Sequence, residues 1–258
     1  MPIATLSRPK SVYCPICAAS CSPLSEVDFN KCCSDGTQPV LPRSGIGISY
    51  VLCDQCRFGF APEFMTWSLE DFEVKIYNAE YILVDPDYLD TRPRANANSL
   101  LATFGDRGKE LRHLDYGGGR GLLSELLCEQ GWQSASYDPF VDRSVSLLDL
   151  GPFDLVTAYE VFEHVPDVRR LVSELARLLS PDGVVLFSTL LSDGNVSPGR
   201  PLSWWYAAPR NGHISLFSAR SLAALGASEG FAVGSFSQDL HAFWKNIPPW
   251  AAHILRPA

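Results

Sequence analysis

The sequence predicts an α/β protein: a mostly parallel sheet covered by helices on both faces, preceded by a small cysteine-rich segment. Three observations carry this. From Leu111 onward, short apolar runs alternate with stretches whose apolar residues recur at helical spacing. The first of these runs leads directly into a glycine-rich turn that opens a helix. Seven of the eight cysteines fall before residue 57, four of them in two C-x-x-C pairs.

Residues 111–115 read as a short buried strand. Leu122, Leu123, Leu126 and Leu127 then share one helical face, closed by Gly131. Residues 133–138 form a second strand, 145–148 a reduced third and 153–159 a fourth, which ends in acidic residues. Val168, Leu171, Val172, Leu175, Leu178 and Leu179 mark the clearest helix, broken by Ser180-Pro181-Asp182-Gly183. An apolar strand follows at 184–190, a helix with Leu222 and Leu225 starts near Ser218, and 231–236 with 240–244 close the sheet as its sixth and seventh strands. Three parts result: a cysteine-rich, zinc-ribbon-like segment at 1–62, a helical connector or lid at 63–105, and the sheet domain at 106–258. The connector has no low-complexity stretch, so the parts are expected to pack on one another.

The 258 residues suffice for one large α/β domain with an appendage. Hydrophobic residues make up 46% and mean hydropathy is near zero, as in water-soluble globular proteins. No apolar run has the length of a membrane span, and residues 1–10 lack the apolar core of a signal peptide, so a cytoplasmic location is expected. The net charge of -8, with no basic stripe, weighs against nucleic-acid partners.

Leu114-Asp115-Tyr116-Gly117-Gly118-Gly119-Arg120-Gly121 lies between a strand and a helix, the context a nucleotide-type loop requires. Asp138 ends the next strand, where a carboxylate can accept from both ribose hydroxyls. The dinucleotide pattern G-x-G-x-x-G fails, because its third glycine position holds Leu122. The pattern present, D-x-G-x-G-x-G, resembles the first motif of class I S-adenosylmethionine (SAM) dependent methyltransferases. Residues 153–156 followed by Glu160-Val161-Phe162-Glu163-His164-Val165 resemble the fourth-strand motif of that family, and residues 178–184 its approach to the fifth strand. Residues 213–218 with Glu229-Gly230-Phe231 resemble a late segment of its type 23 and type 12 subgroups. The resemblance covers residues 111–236. It implies a Rossmann-like methyltransferase sheet and a SAM site formed by Asp115, Tyr116, Gly117, Gly118, Gly119, Asp138, Asp149 and Glu160. In one respect the chain departs from the family: only a short segment separates Asp138 from Phe153, where members carry a helix and a full third strand. Leu148 and Asp149 are expected beside the adenine there.

Cys14, Cys17, Cys53 and Cys56 supply four thiolates, the ligand set of a closed, structural zinc site. Tyr50-Val51-Leu52 reads as a strand leading into the second pair, as in a ribbon. Cys21, Cys32 and Cys33 are possible substitutes for one ligand, and a set of reduced, buried cysteines is the alternative. The layout resembles that of bacterial sugar C-methyltransferases, which carry a similar N-terminal element.

Glu160, Glu163 and His164 follow the fourth strand, at the sheet end where ligands bind in such folds. His213 lies in a later loop able to close over the same edge. Three readings stand at this point. His164 or His213 acts as a general base, with Tyr77 or Tyr81 assisting. Alternatively Glu160, Glu163, His164 and His213 hold a divalent ion that orients a diol-like acceptor, an arrangement resembling that of some metal-dependent O-methyltransferases. Or Glu163 and His164 only shape the loop. Trp204, Trp205 and Tyr206 either wall the substrate pocket or plug the loop they sit in, and His113 reads as a packed strand residue. The function expected is SAM-dependent methylation of a small-molecule acceptor, a sugar or secondary metabolite. The alternatives are a catalytically inactive SAM-binding protein and a zinc-ribbon module that binds a partner.

Overall fold

The structure, a computed structural model, describes residues 12–36 and 39–255, apart from the side chain of Leu148. Residues 1–10, read above for a leader, lie outside them. In chain order the cysteine-rich segment holds β1 (Val12–Tyr13), β2 (Ser20–Asp28), β3 (Gly47–Cys53) and β4 (Gly59–Phe60). The connector holds α1 (Leu69–Lys75), α2 (Tyr81–Val84) and α3 (Thr91–Phe104). Then come β5 (Arg112–Tyr116), α4 (Leu122–Glu129), β6 (Gln133–Tyr137), β7 (Phe153–Ala158), α5 (Val168–Leu178) and β8 (Leu179–Ser188). The chain ends with β9 (Ser215–Leu216), α6 (Ala219–Ala227), β10 (Ala232–Ser235), β11 (Leu240–Trp244) and α7 (Ala252–Leu255).

The main sheet runs β10-β11-β8-β7-β5-β6. Its β6, β5, β7 and β8 are parallel, and β11 and β10 return antiparallel. The expected seventh strand is absent among the described residues, and the expectation is corrected to six. Residues 145–148 form no strand, and the only regular turn there is a 3-10 turn at Leu147–Asp149. The reason is chain length. A parallel neighbour needs a crossover of about a dozen residues on the way out and another on the way back. Residues 138–152 cannot hold both with a strand between, so β6 is left as the sheet edge.

Helix α5 shows how periodicity becomes packing. Val168, Leu171, Val172, Leu175 and Leu178 are all buried, and Asp167 caps the start by accepting from the Arg170 amide. The 180–183 breaker ends the helix as expected but is absorbed as a bulge between the Phe153–Leu179 and Leu155–Val184 pairings.

A second, antiparallel sheet runs β1-β2-β3-β4-β9. Its last strand comes from the chain after β8, so the cysteine-rich segment does not close its own sheet. Its side chains also enter the main core: Cys53, Cys56, Phe58 and Phe60 share one hydrophobic cluster with Leu175, Phe217, Leu222 and Phe243. The phenyl rings of Phe58 and Phe217 lie 5.0 Å apart. Arg169 of α5 donates to the Ile16 carbonyl at 2.8 Å, and Ser218 donates to the Cys56 carbonyl at 2.8 Å. The boundary drawn at residue 62 therefore separates stretches that share a sheet and a core. Among the described residues no helix is long and apolar enough to cross a membrane.

Ser218 does two jobs, since it also caps α6 by accepting from the Ser221 amide. Ser218→Ala is expected to cost about 1–2 kcal/mol of stability, measured as a lowered urea midpoint at unchanged slope.

Candidate functional site

A cavity of about 750 Å³ opens at the carboxyl ends of β5, β6 and β7. The glycine loop and Asp138 form one wall. Residues of the connector, among them Trp67, Tyr77, Tyr81, Tyr88 and Arg92, form the other.

Within the loop, Gly118 is required by contact. A Cβ there would stand 2.4 Å from Ser136 Oγ and 2.5 Å from Asp115 Oδ2. Gly117 has φ +77, and its amide donates to the Tyr137 carbonyl at 2.7 Å, so the turn is tied to the neighbouring strand. Asp138 accepts from the Gly119 amide at 3.0 Å and the Phe140 amide at 2.8 Å. Burial raises its pKa against the pull of those amides. Each carboxylate oxygen keeps acceptor capacity on the cavity side.

Asp115 is buried beneath the loop, and burial pushes it up to about 7. Thr157 donates to it at 2.7 Å. With that proton committed, the Thr157 oxygen accepts from His113 Nε2 at 3.0 Å, and His113 Nδ1 accepts from Ser134 at 2.7 Å. Burial holds His113 down to about 3, so it is neutral, a packed strand residue that orients the relay.

At the end of β7, Glu160 adopts a left-handed φ of +53, a strained position for a non-glycine residue. Its amide donates to Ser188 Oγ at 2.8 Å, and the Ser188 hydroxyl donates back to Glu160 Oε1 at 3.0 Å. Across the cavity Arg92 holds Asp85 with two bonds of 3.0 and 2.8 Å. Nothing in the spacing of Asp85 and Arg92 along the connector announced that they pair at the site.

Glu163, His164 and His213 come together, with candidate ligand atoms all within 4.8 Å of one another. Tyr206 donates its hydroxyl to Glu163 Oε1 at 2.6 Å. His213 Nδ1 donates to the Tyr206 carbonyl at 2.9 Å, which leaves Nε2 with its lone pair free to bind. Glu163 Oε2 and His164 Nδ1 are buried with no partner in hydrogen-bonding geometry. Burial pushes Glu163 up to about 8 and His164 down to about 4, and it lowers His213 as well.

Asp115, Tyr116, Gly117, Gly118, Gly119, Asp138, Glu160, Tyr81 and His164 line the cavity. Glu163 and His213 do not; they are buried behind His164. Glu160 stands outside the three-residue group, because Ser188 holds its carboxylate, so the proposed four-ligand set is corrected to three. Asp149 is exposed and off the cavity, since the turn that replaces the third strand brings Leu147 to that edge instead. Tyr81 spends its hydroxyl on the Asn211 carbonyl at 3.4 Å, whereas Tyr77 faces His164 with ring centres 6.2 Å apart. Trp204 and Tyr206 are buried in the core and do not wall the pocket. Tyr206 and Thr157, which position the two buried carboxylates, were missed in those roles, because a hydroxyl's partner is set by tertiary approach.

The cysteines form two matching knuckles. Ala18 and Arg57, each following its pair, both have positive φ, at 58 and 64. Their amides donate back to the Cys14 and Cys53 carbonyls at 2.9 and 3.2 Å. The Cys14, Cys17, Cys53 and Cys56 sulfurs lie within 4.8 Å of one another, with Cys14–Cys56 at 3.5 Å and Cys17–Cys53 at 3.4 Å. A hydrogen bond from Cys56 helps pull Cys14 down to about 5. Cys21, Cys32 and Cys33 stand outside the group.

A family model described as a methyltransferase domain matches residues 88–235. That stretch carries the glycine loop, Asp138, Glu160, Glu163, His164 and His213, and leaves the four cysteines outside. The chain is 36% identical over 112 residues to a ubiquinone biosynthesis O-methyltransferase of Idiomarina loihiensis, covering 34% of this chain and 45% of that protein. It is 34% identical over 127 residues to the protein of the same name in Chromobacterium violaceum, covering 38% and 54%. The chain thus spans about half the length of the curated relatives it matches. Among solved structures, a Burkholderia thailandensis 1,6-didemethyltoxoflavin-N1-methyltransferase with bound 1,6-didemethyltoxoflavin and S-adenosylhomocysteine aligns with a TM-score of 0.48 at 18% identity, over 79% of this chain and 96% of that one.

The Asp115 relay can be tested without any ligand. Thr157→Val removes the only side-chain donor among the described residues to the buried Asp115 carboxyl and is expected to cost about 1–3 kcal/mol, read as a lowered urea midpoint.

Proposed function

The chain belongs to the methyltransferase domain family, and from that premise we propose that it is a SAM-dependent methyltransferase acting on a small-molecule acceptor. The single observation that carries this is the glycine loop between β5 and α4, opening with Asp138 onto one cavity. Bound SAM would supply an electrophilic methyl group on a sulfonium. The chain's part is to hold and orient. Asp138 would take the ribose hydroxyls on its remaining acceptor capacity, and the Gly117–Gly119 backbone would allow close approach. Asp115, pinned by Thr157, would face the amino-acid ammonium, whose charge would favour its ionised form against the pull of burial.

The other half of the cavity is walled by Trp67, Phe72, Tyr77, Tyr88 and Phe140, with His164, Glu160 and the Asp85–Arg92 pair as its polar points. This lining favours a flat, partly apolar acceptor presenting a hydroxyl. The O-methyltransferase activity named for the curated relatives makes oxygen the first acceptor atom to assay.

Among the three readings of the Glu163–His164–His213 group, the divalent cation has the most support. Two buried polar atoms lack partners, and the His213 tautomer leaves Nε2 unprotonated. A cation held there would supply Lewis acidity to an acceptor oxygen. A general base at His164 is the second reading, favoured by its place on the cavity wall. The cysteine quartet fits zinc, since sulfurs about 2.3 Å from a tetrahedral ion lie ~3.8 Å from one another. With four protein ligands, zinc there would be structural.

Three measurements check these readings. Calorimetry with S-adenosylhomocysteine should show binding that Asp138→Ala weakens at least about tenfold; equal affinities remove Asp138 from the site. Elemental analysis of protein purified without added metal should find about one zinc per chain, and a folded zinc-free protein would leave the cysteines as buried thiols. His164→Ala should lower turnover about a hundredfold or more with S-adenosylhomocysteine affinity unchanged. If the cation reading holds, EDTA abolishes wild-type activity and manganese restores it. Indifference to EDTA with the same loss in the variant leaves the base.

A further inference from the structure

The loop between β8 and β9 delivers Tyr206 and His213 to the Glu163–His164–His213 group. The main sheet holds its first residues through the Thr189 and Leu191 amides, and the Ile214 amide donates to the Glu163 carbonyl at 2.9 Å. The connector holds Arg210 and the Asn211 carbonyl. The backbone on either side of Tyr206 and at His213 is gripped from the cysteine-rich segment. Lys31, between β2 and β3, donates from its half-buried ammonium to the Trp204 carbonyl at 2.5 Å and the Ala207 carbonyl at 2.9 Å, one on each side of Tyr206. Tyr50, on β3 and almost fully buried, donates to the His213 carbonyl at 2.6 Å. The Cys33 amide donates to the Asn211 side chain at 2.8 Å, and the Arg210 amide donates to the Lys31 carbonyl at 3.2 Å. At the end of the loop, the Ala61 amide donates to the Ile214 carbonyl at 2.9 Å.

These clamps act on the atoms that orient the group. Tyr206 uses its hydroxyl on Glu163 and its carbonyl on His213, so the place of one backbone unit sets two of the three candidate ligands. Tyr50 grips the His213 backbone itself. On the other side, β3 runs directly into Cys53, and Cys53 pairs with Cys21 on β2, so the knuckle fixes the end of the strand that carries Tyr50.

We propose that Tyr50 and Lys31 are positioning residues for the Glu163–His164–His213 group, so that the cysteine-rich segment serves as the outer scaffold of a divalent-cation site inside the methyltransferase domain. The proposal rests on reading that group as a cation site. Neither residue lines the cavity or touches the glycine loop. Their loss should therefore act on cation binding and leave binding at the loop alone.

The test uses the full chain with its cysteine site loaded, comparing wild type, Tyr50→Phe and Lys31→Met. Manganese binding is titrated by electron paramagnetic resonance, S-adenosylhomocysteine binding by calorimetry, and backbone order in residues 204–214 by hydrogen exchange. Tyr50→Phe leaves the buried His213 carbonyl without its donor, and Lys31→Met removes the ammonium shared by the Trp204 and Ala207 carbonyls. Each is expected to weaken manganese binding about tenfold or more, to alter the bound-manganese spectrum, and to speed exchange across 204–214, with S-adenosylhomocysteine affinity within about twofold of wild type. Unchanged manganese affinity and unchanged exchange in both variants would overturn the proposal. So would a parallel loss of S-adenosylhomocysteine binding, which would mark a general loosening of the fold. If wild type takes up no manganese, the cation reading fails by itself. Hydrogen exchange then decides whether these two residues order the loop, and exchange at the wild-type rate refutes it.

Discussion

Two residue pairs, Gly59 with Leu216 and Phe60 with Ser215, join the cysteine-rich segment to the chain that follows β8. The ladder is short, but the arrangement around it depends on it. It completes the second sheet, sets Phe58 against Phe217, and brings Ser218 to the Cys56 carbonyl. A segment with two knuckles and a proline-, serine- and glycine-rich interior has too little apolar surface to close a core alone. Here it borrows that core from α5, α6 and β11, and in return it walls one side of the loop carrying Tyr206 and His213.

The second organising constraint is the cost of burying carboxylates. Asp115 and Glu163 both lie out of solvent, and each is met by one hydroxyl, Thr157 for the first and Tyr206 for the second. Behind the first stands a completed relay through His113 to Ser134. Behind the second, the Tyr206 oxygen takes the Leu190 amide at 3.3 Å and meets the Thr189 hydroxyl at 3.5 Å, but among the described residues Glu163 Oε2 and His164 Nδ1 have no partner in hydrogen-bonding geometry. A fully satisfied network rigidifies its surroundings, whereas one left open holds acceptors ready for a cation or proton.

Loss of the third strand shapes the rest of the cavity. With β6 at the edge, the segment after Asp138 wraps the cavity rim, contributing Phe140, Val141 and Leu147 where a longer crossover would have stood. Beside it Glu174 of α5 accepts from Tyr116 at 3.1 Å and from Arg170 at 2.7 Å. These groups put an ion pair and aromatic rings at the rim next to Asp138, where the sequence had pointed to Asp149.

Much of this molecule was legible in the chain itself, because its information is local. Helical spacing from Val168 to Leu178, the glycines after Asp115, and the paired C-x-x-C spacing each encode a backbone path within a few residues. Such paths follow from sterics and burial on one face. Chain length alone decided against a third strand, and a count of the residues between Asp138 and Phe153 already limited it. Other features had no local signature. Lys31 reaches Trp204, Tyr50 reaches His213, Tyr206 reaches Glu163, and Arg92 meets Asp85 on the connector wall of the cavity. Hydroxyls and long cations find partners wherever the fold brings a carbonyl or carboxylate within about 3 Å. That approach is a property of packed elements and not of spacing along the chain. The sequence by itself therefore determined the α/β framework, the glycine loop and the cysteine knuckles. Only the tertiary structure decided that Glu163 and His213 stand behind His164, that Glu160 is held apart by Ser188, and that the cysteine-rich segment hydrogen-bonds a loop more than 150 residues away in the chain.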